Sequence, residues 1–252
     1  MDNGAPGSVW LLRKAHPWGD YGSILVHGMS AHLKRGDGRI QLERTGPFVP
    51  PVTLPGISDI VVTAAARAEL ERWGIDGLTF LPVDKTRIVR LDWISWDRTA
   101  PKPAEYPGSG DPEDYILGRP HDESCSRELG DLFELVPARA GLVAREELEP
   151  QGVSPRKYRF TIQPDSIPAL DIFRVKDKGY VFVTERLRAL LAAMPHNACD
   201  FLAVTIGPLP PPQLPVRRFL SAGEEVPPEY ELTGTMVSPF TGEQMRIATL
   251  RR

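Results

Sequence analysis

The sequence predicts an α+β protein of two related halves, each a mostly antiparallel sheet with one principal amphipathic helix. Three observations carry this. Residues 60 to 83 (IVVTAAARAELERWGIDGLTFLPV) align without a gap on residues 181 to 204 (VFVTERLRALLAAMPHNACDFLAV) at an offset of 121. Eight positions are identical: Val62/Val183, Thr63/Thr184, Arg67/Arg188, Ala68/Ala189, Leu70/Leu191, Phe80/Phe201, Leu81/Leu202 and Val83/Val204. Each copy runs from a branched apolar stretch through a threonine into a helical repeat, then back into a strand-like stretch. At 252 residues the chain can bury a full-sized core, as one large domain or as two small ones packed together.

Taken in order, Val9 to Arg13, Ser23 to Leu33 and Arg39 to Glu43 are expected as three strands of an antiparallel meander, the last alternating Ile40 and Leu42. Arg35-Gly36-Asp37-Gly38 supplies the hairpin signal between the second and third, because glycine accepts positive φ. Residues 46 to 56 hold four prolines and form an extended connection, since proline cannot donate to a central ladder. Thr63 and Thr184 are placed to N-cap the two helices. Ala66, Leu70 and Trp73 in one copy, and Leu187, Leu190, Leu191 and Met194 in the other, fall on one helical face. Gly74 permits a left-handed cap and Pro195 lacks a donor, so both helices stop at the same position of the repeat.

Strands are expected to resume over Leu78 to Val83 and Phe201 to Ile206, with a further strand over residues 86 to 96. Arg98 to Arg127, rich in proline, glycine and acid, is expected as a long ordered loop. Leu129 to Val136 and Arg156 to Ile162 follow as strands or short elements, and Asp171 to Val175 leads into the second copy. The run PLPPPQLP after Gly207 reads as polyproline II. Residues 216 to 252 show few periodic apolar positions, which suits a tail that is either disordered in part or wrapped on the domain. The expected parts are residues 1–97 with the meander, an acidic insert at 98–164, the second copy at 165–207, and a proline-rich linker and tail at 208–252.

The net charge of −3 argues against nucleic acid as a partner, but the charge is unevenly spread. Residues 105 to 149 hold twelve acids against four arginines, a balance of −8. Cys125 and Cys199 stand far apart and outside any CxxC pattern, so neither a disulfide framework nor a thiolate zinc site is expected. The start MDNGAPGSVW has no basic lead and no apolar core, and no apolar run reaches the roughly 18 residues of a membrane span. Together these point to a cytoplasmic protein without cofactor.

His27 and His32 are five residues apart and would face opposite sides of a strand, which argues against a metal pair. His121, Asp122, Glu123 and Cys125 gather metal-competent groups in one short stretch, and His121 with Asp122 or Glu123 could serve a small hydrolase as general base. Neither a GxSxG elbow nor a phosphate-cradling glycine motif occurs. Pro212 and Pro215, followed by Arg217, match a proline-recognition pattern, which leaves a scaffolding role through the tail as another reading. The acidic insert has the composition of a surface that captures a basic partner. Asp111, Glu113, Asp114, Asp122 and Glu123 would steer it, and Tyr106 and Tyr115, with Ile116 beside them, would anchor it.

The segments Asp171-Ile172-Phe173-Arg174 and Val183-Thr184-Glu185-Arg186 carry a family likeness. A DLFR-like strand leading to a VTER-like helix start resembles immunity proteins of bacterial polymorphic toxin systems, most closely the myxobacterial double-CXXCG group. The likeness covers residues 165 to 206, and 57 to 83 by way of the repeat. This chain lacks the paired CxxC motifs that name the group, so no zinc role carries over. The resemblance implies a non-enzymatic cytosolic protein that binds and blocks a cognate toxin.

Overall fold

A computed structural model describes residues 8–30, 38–56, 58–101, 111–147, 158–175, 179–210, 217–238 and 242–251. The chain forms two units, Met1–Leu209 and Pro210–Arg252. The first runs β1 (Val9–Lys14), α1 (Asp20–His27), β2 (Gln41–Gly46), β3 (Val52–Thr53), β4 (Val61–Thr63), α2 (Ala64–Arg72), β5 (Leu78–Pro82) and β6 (Asp84–Arg90). It continues through α3 (Pro112–Leu117), α4 (Glu123–Leu129), β7 (Leu132–Arg139), β8 (Val143–Glu147), β9 (Tyr158–Ile162), β10 (Ile172–Arg174), β11 (Val181–Thr184), α5 (Glu185–Ala193), β12 (Cys199–Ala203) and β13 (Thr205–Ile206). The class is α+β, with an eight-stranded sheet in the order β12-β1-β11-β10-β7-β4-β3 and β5 also paired to β7.

One pairing scheme occurs twice in that sheet, register for register. In the first set, β4 and β5 flank β7 antiparallel, placing Phe133 opposite both Val62 and Pro82. In the second, β11 and β12 flank β1 antiparallel, placing Trp10 opposite both Val183 and Ala203. The leading strands β3 and β10 also match, with Val52 beside Val62 and Ile172 beside Val183. Even the junctions repeat. Ala64 N donates to Asp131 O at 3.2 Å as Glu185 N does to Ser8 O at 3.1 Å, and Val83 N and Val204 N donate to Leu132 O and Val9 O, both at 3.2 Å. The central strands come from outside their sets: β7 follows the first set in the chain, whereas β1 precedes it. A parallel contact of β10 with β7, Phe173 beside Ala138, joins the two sets.

Alternation on these strands makes three layers. Val62, Val183, Leu12 and Leu135 face α2 and α5, whose Ala66, Leu70, Leu187 and Leu191 are buried in the same core. On the opposite face, Val61 and Leu132 pack with Ile40 and Leu42 around β2. Val9, Leu11 and Phe182 there meet Phe160 and Ile162 of β9. Thr63 and Thr184 cap their helices, accepting from Ala66 N at 3.2 Å and Leu187 N at 3.3 Å. Gly74 is left-handed with φ +58° just past α2, and Pro195 lies just past α5.

The amino-terminal part departs from the expected meander. Residues Ser23 to His27 lie in helix α1, where Leu25, Val26 and His27 are all fully buried. Three consecutive buried residues cannot belong to a half-exposed strand, and a short enclosed helix satisfies them. Gly28 ends it at φ +77°, where a Cβ would sit 2.7 Å from Arg44 Cβ. Strand β2 runs parallel to β6 rather than in a hairpin. His32 and the Arg35-Gly36-Asp37 segment lie outside the described residues, as do Tyr106, Pro212 and Pro215. The expected strand over 86–96 ends at Arg90, and Trp93 beyond it is fully buried against Trp18 and Phe48. The long acidic loop contains two short helices, α3 and α4.

The second unit holds β14 (Arg217–Leu220), β15 (Tyr230–Val237) and β16 (Gln244–Leu250) in an antiparallel sheet ordered β14-β16-β15. Its small core is Leu220, Tyr230 and Ala248 with Val226 alongside. A register shift between Leu232 and Gly234 interrupts β15, which is why no clean alternation marks this sheet in the sequence.

Candidate functional site

Within the acidic insert, the short helices α3 and α4 are clamped onto β6. Asp122 N-caps α4, accepting from Cys125 N at 2.8 Å, and Pro112 opens α3 behind Asp111. Helix carboxyl ends leave carbonyls without intrahelical donors, and basic residues of β6 and its end supply them. Lys85 Nζ donates to Ser126 O at 2.6 Å and Gly130 O at 3.0 Å, at the end of α4. Arg87 donates to Leu117 O and to Arg119 O at the end of α3, and pairs with buried Glu43 at 3.2 Å. Arg90 bridges Asp122 at 3.3 Å and Glu128 at 2.7 Å.

This clamp sorts the expected contact residues. Asp122 is held below the usual carboxylate range, first by the Cys125 backbone N–H and then by Arg90. Glu128 is lowered by its hydrogen bonds from Arg90. Tyr115 is engaged too: its ring lies under Arg119 at 3.6 Å and its hydroxyl donates to Arg90 O at 3.1 Å. Among the described residues, Asp111 and Asp114 are exposed and Glu113 half-buried, all three without an ion-pair partner. Glu123 projects into solvent 3.6 Å from His121 Nε2. Glu134 lies buried in β7 and adds nothing to the surface charge.

His121 has a structural task. Its Nδ1 accepts from Ile88 N at 3.0 Å, so the neutral ring carries its proton on Nε2 and has no lone pair left for a substrate. Cys125 beside it is buried, and desolvation pushes its thiol upward. The fully buried Arg44 donates to Thr45 O at 2.9 Å and Val26 O at 3.0 Å, and desolvation lowers its guanidinium to about 9. His27 is likewise enclosed, with Nε2 donating to Ala15 O at 2.9 Å and Nδ1 accepting from Leu54 N at 3.2 Å. Among the described residues, no group of three or more His, Cys, Asp or Glu could hold a metal ion, and no helix is long and apolar enough to cross a membrane.

The motif residues Asp171 and Arg186 meet in space. Asp171 accepts from Thr184 Oγ1 at 2.9 Å and Arg186 at 2.6 Å, and Arg186 also donates to Trp73 O at the end of α2. The motif thus ties the start of α5 to the end of α2. Asp171, Thr184, Glu185 and Arg186 also line an open groove of about 880 Å³ with Asp76 and Asp165.

The clamp was missed in the sequence, although Lys85, Arg87 and Arg90, spaced along one strand just ahead of an acid-rich stretch, were its visible signal. In comparisons with protein-family models, with curated proteins and with solved structures, nothing matches this chain.

Proposed function

We propose that the protein is a cytoplasmic immunity protein that binds and neutralises a cognate toxin, with the edge formed by Asp111, Glu113, Asp114 and Glu123 as its contact face. The supporting observation is the state of that edge. Its carboxylates project from short helices pinned by Lys85, Arg87 and Arg90, so binding a basic partner would cost little further ordering. Uncompensated charge on a fixed frame speeds association with a cationic protein. The resemblance at Asp171–Arg174 and Val183–Arg186 supplies the toxin as partner, and descent of the two strand sets from one duplicated unit belongs to the same proposal. The hydrolase alternative draws little from His121, whose basic nitrogen already accepts a backbone N–H.

The test is co-expression with the toxin encoded beside the gene. Wild-type protein and His121→Ala should both protect cells. A triple reversal of Asp111, Glu113 and Asp114 to Lys should weaken toxin binding by at least tenfold at low salt and flatten its salt dependence. Absence of protection by the wild type would remove the immunity reading, and unchanged affinity of the triple variant would remove the acidic face.

A further inference from the structure

We infer that the cleft lined by the end of β1, by Leu54, Gly56, Ser58 and Ile60, and by β9 is a binding site for a small amphipathic carboxylate, an aliphatic or aromatic acid of roughly ten carbons. The cleft encloses about 810 Å³, within the range of small-ligand sites. Leu11, Leu54, Phe160, Val181 and Leu202 are among its apolar lining residues. Arg13, Lys14 and Arg145 line it as well, with Tyr158 and Tyr180, and Arg145 reaches solvent.

The three cations are not equivalent. Arg13 is spent on Asp200. Lys14 is partly enclosed, and desolvation lowers its pKa against the opposing influence of Asp59. Asp59 in turn accepts from Ser30 Oγ at 2.6 Å.

Arg145 is held in place without any acid. Its guanidinium lies over the Tyr158 ring at 4.6 Å and donates to Tyr180 Oη at 2.8 Å, and among the described residues it has no carboxylate partner. A guanidinium oriented by an aromatic face and a hydroxyl, at the mouth of an apolar cleft, is a ready fork for a carboxylate whose tail enters the cleft. Charge complementarity excludes an amine in that role. This site is separate from the acidic edge, on a different set of elements, and does not rest on the toxin reading.

Titrating the full chain calorimetrically with decanoate, decanol and decylamine at neutral pH decides the matter. Decanoate should bind at one site with Kd on the order of 0.1 mM, at least tenfold tighter than decanol, with no binding of decylamine. Arg145→Gln should weaken decanoate at least tenfold while leaving thermal unfolding unchanged. Should that variant fold poorly, Lys14→Gln, expected to weaken decanoate severalfold, takes its place. Equal affinity for decanoate and decanol, no effect of Arg145→Gln in a folded protein, or no binding of decanoate at millimolar concentration would each overturn the inference.

Discussion

Arg67 of α2 lies over the ring of Phe133 in β7 with its guanidinium carbon 4.5 Å from the ring centre. Arg188 of α5 lies over Trp10 of β1 in the same way, at 4.7 Å. These arginines are identical in the repeat, and each pins a helix to the strand that enters its set from elsewhere in the chain. A double-mutant cycle of Arg67→Ala and Phe133→Leu should give a coupling of about 0.5–1 kcal/mol by urea unfolding. Additive single effects would mean that the arginine is held by its ion pair with Glu71 at 2.8 Å and by the Phe80 ring rather than by Phe133.

The two threonine caps should behave as one device used twice. Thr63→Ala is expected to cost about 1 kcal/mol, because it leaves a backbone N–H at a helix start without its acceptor, and Thr184→Ala somewhat more, because it also removes the hydroxyl that donates to Asp171. The double variant should show the sum, the caps lying on separate helices. Thr→Ser at either site should recover most of the loss. A negligible effect of either alanine would show that water replaces the hydroxyl.

How much of this was legible follows from the range of each interaction. Caps at Thr63 and Thr184, the Leu70 and Leu191 faces and the stops at Gly74 and Pro195 are decided within one or two turns of chain, so the sequence displays them. The entry of β1 and β7 into distant sets leaves no local pattern, since strand pairing places no constraint on sequence separation. Ile24, Leu25 and Val26 read as strand because their branched side chains favour it, and enclosure on every side of α1 overrode that preference. At the candidate site the acids were visible as a charge excess. What divides them was not: Asp122 and Glu128 are engaged by Arg90, while Asp111 and Asp114 are left exposed, and that depends on where β6 passes.

His27 should make stability fall in mild acid. Burial lowers its pKa from 6.5 to about 3, helped by nearby Lys14 and Arg44, so the unfolded chain binds a proton there that the native protein refuses. Its contribution is complete above pH 6.5 and is lost progressively as pH falls towards 3, at up to about 1.4 kcal/mol per pH unit and roughly 5 kcal/mol in all. Unfolding free energies measured from pH 7 to pH 4 should therefore slope more steeply in the wild type than in His27→Gln. Parallel slopes would show that His27 takes up a proton without unfolding.

Both thiols should be silent in the native protein. Cys125 and Cys199 are buried, and desolvation raises both, Cys199 to about 12 with a further contribution from Asp200. The reactive species is the thiolate, so at pH 8 each side chain is both protonated and screened from reagent. Titration with a chromogenic disulfide should find no fast-reacting thiol in the folded chain and two in concentrated guanidinium. Because Cys125 sits one turn into α4, its labelling rate also reports the opening of the clamp. Arg90→Gln, which releases Glu128 and removes one support of Asp122, should accelerate Cys125 while leaving Cys199 unchanged. Equal acceleration of both would place the effect in global unfolding rather than at the clamp.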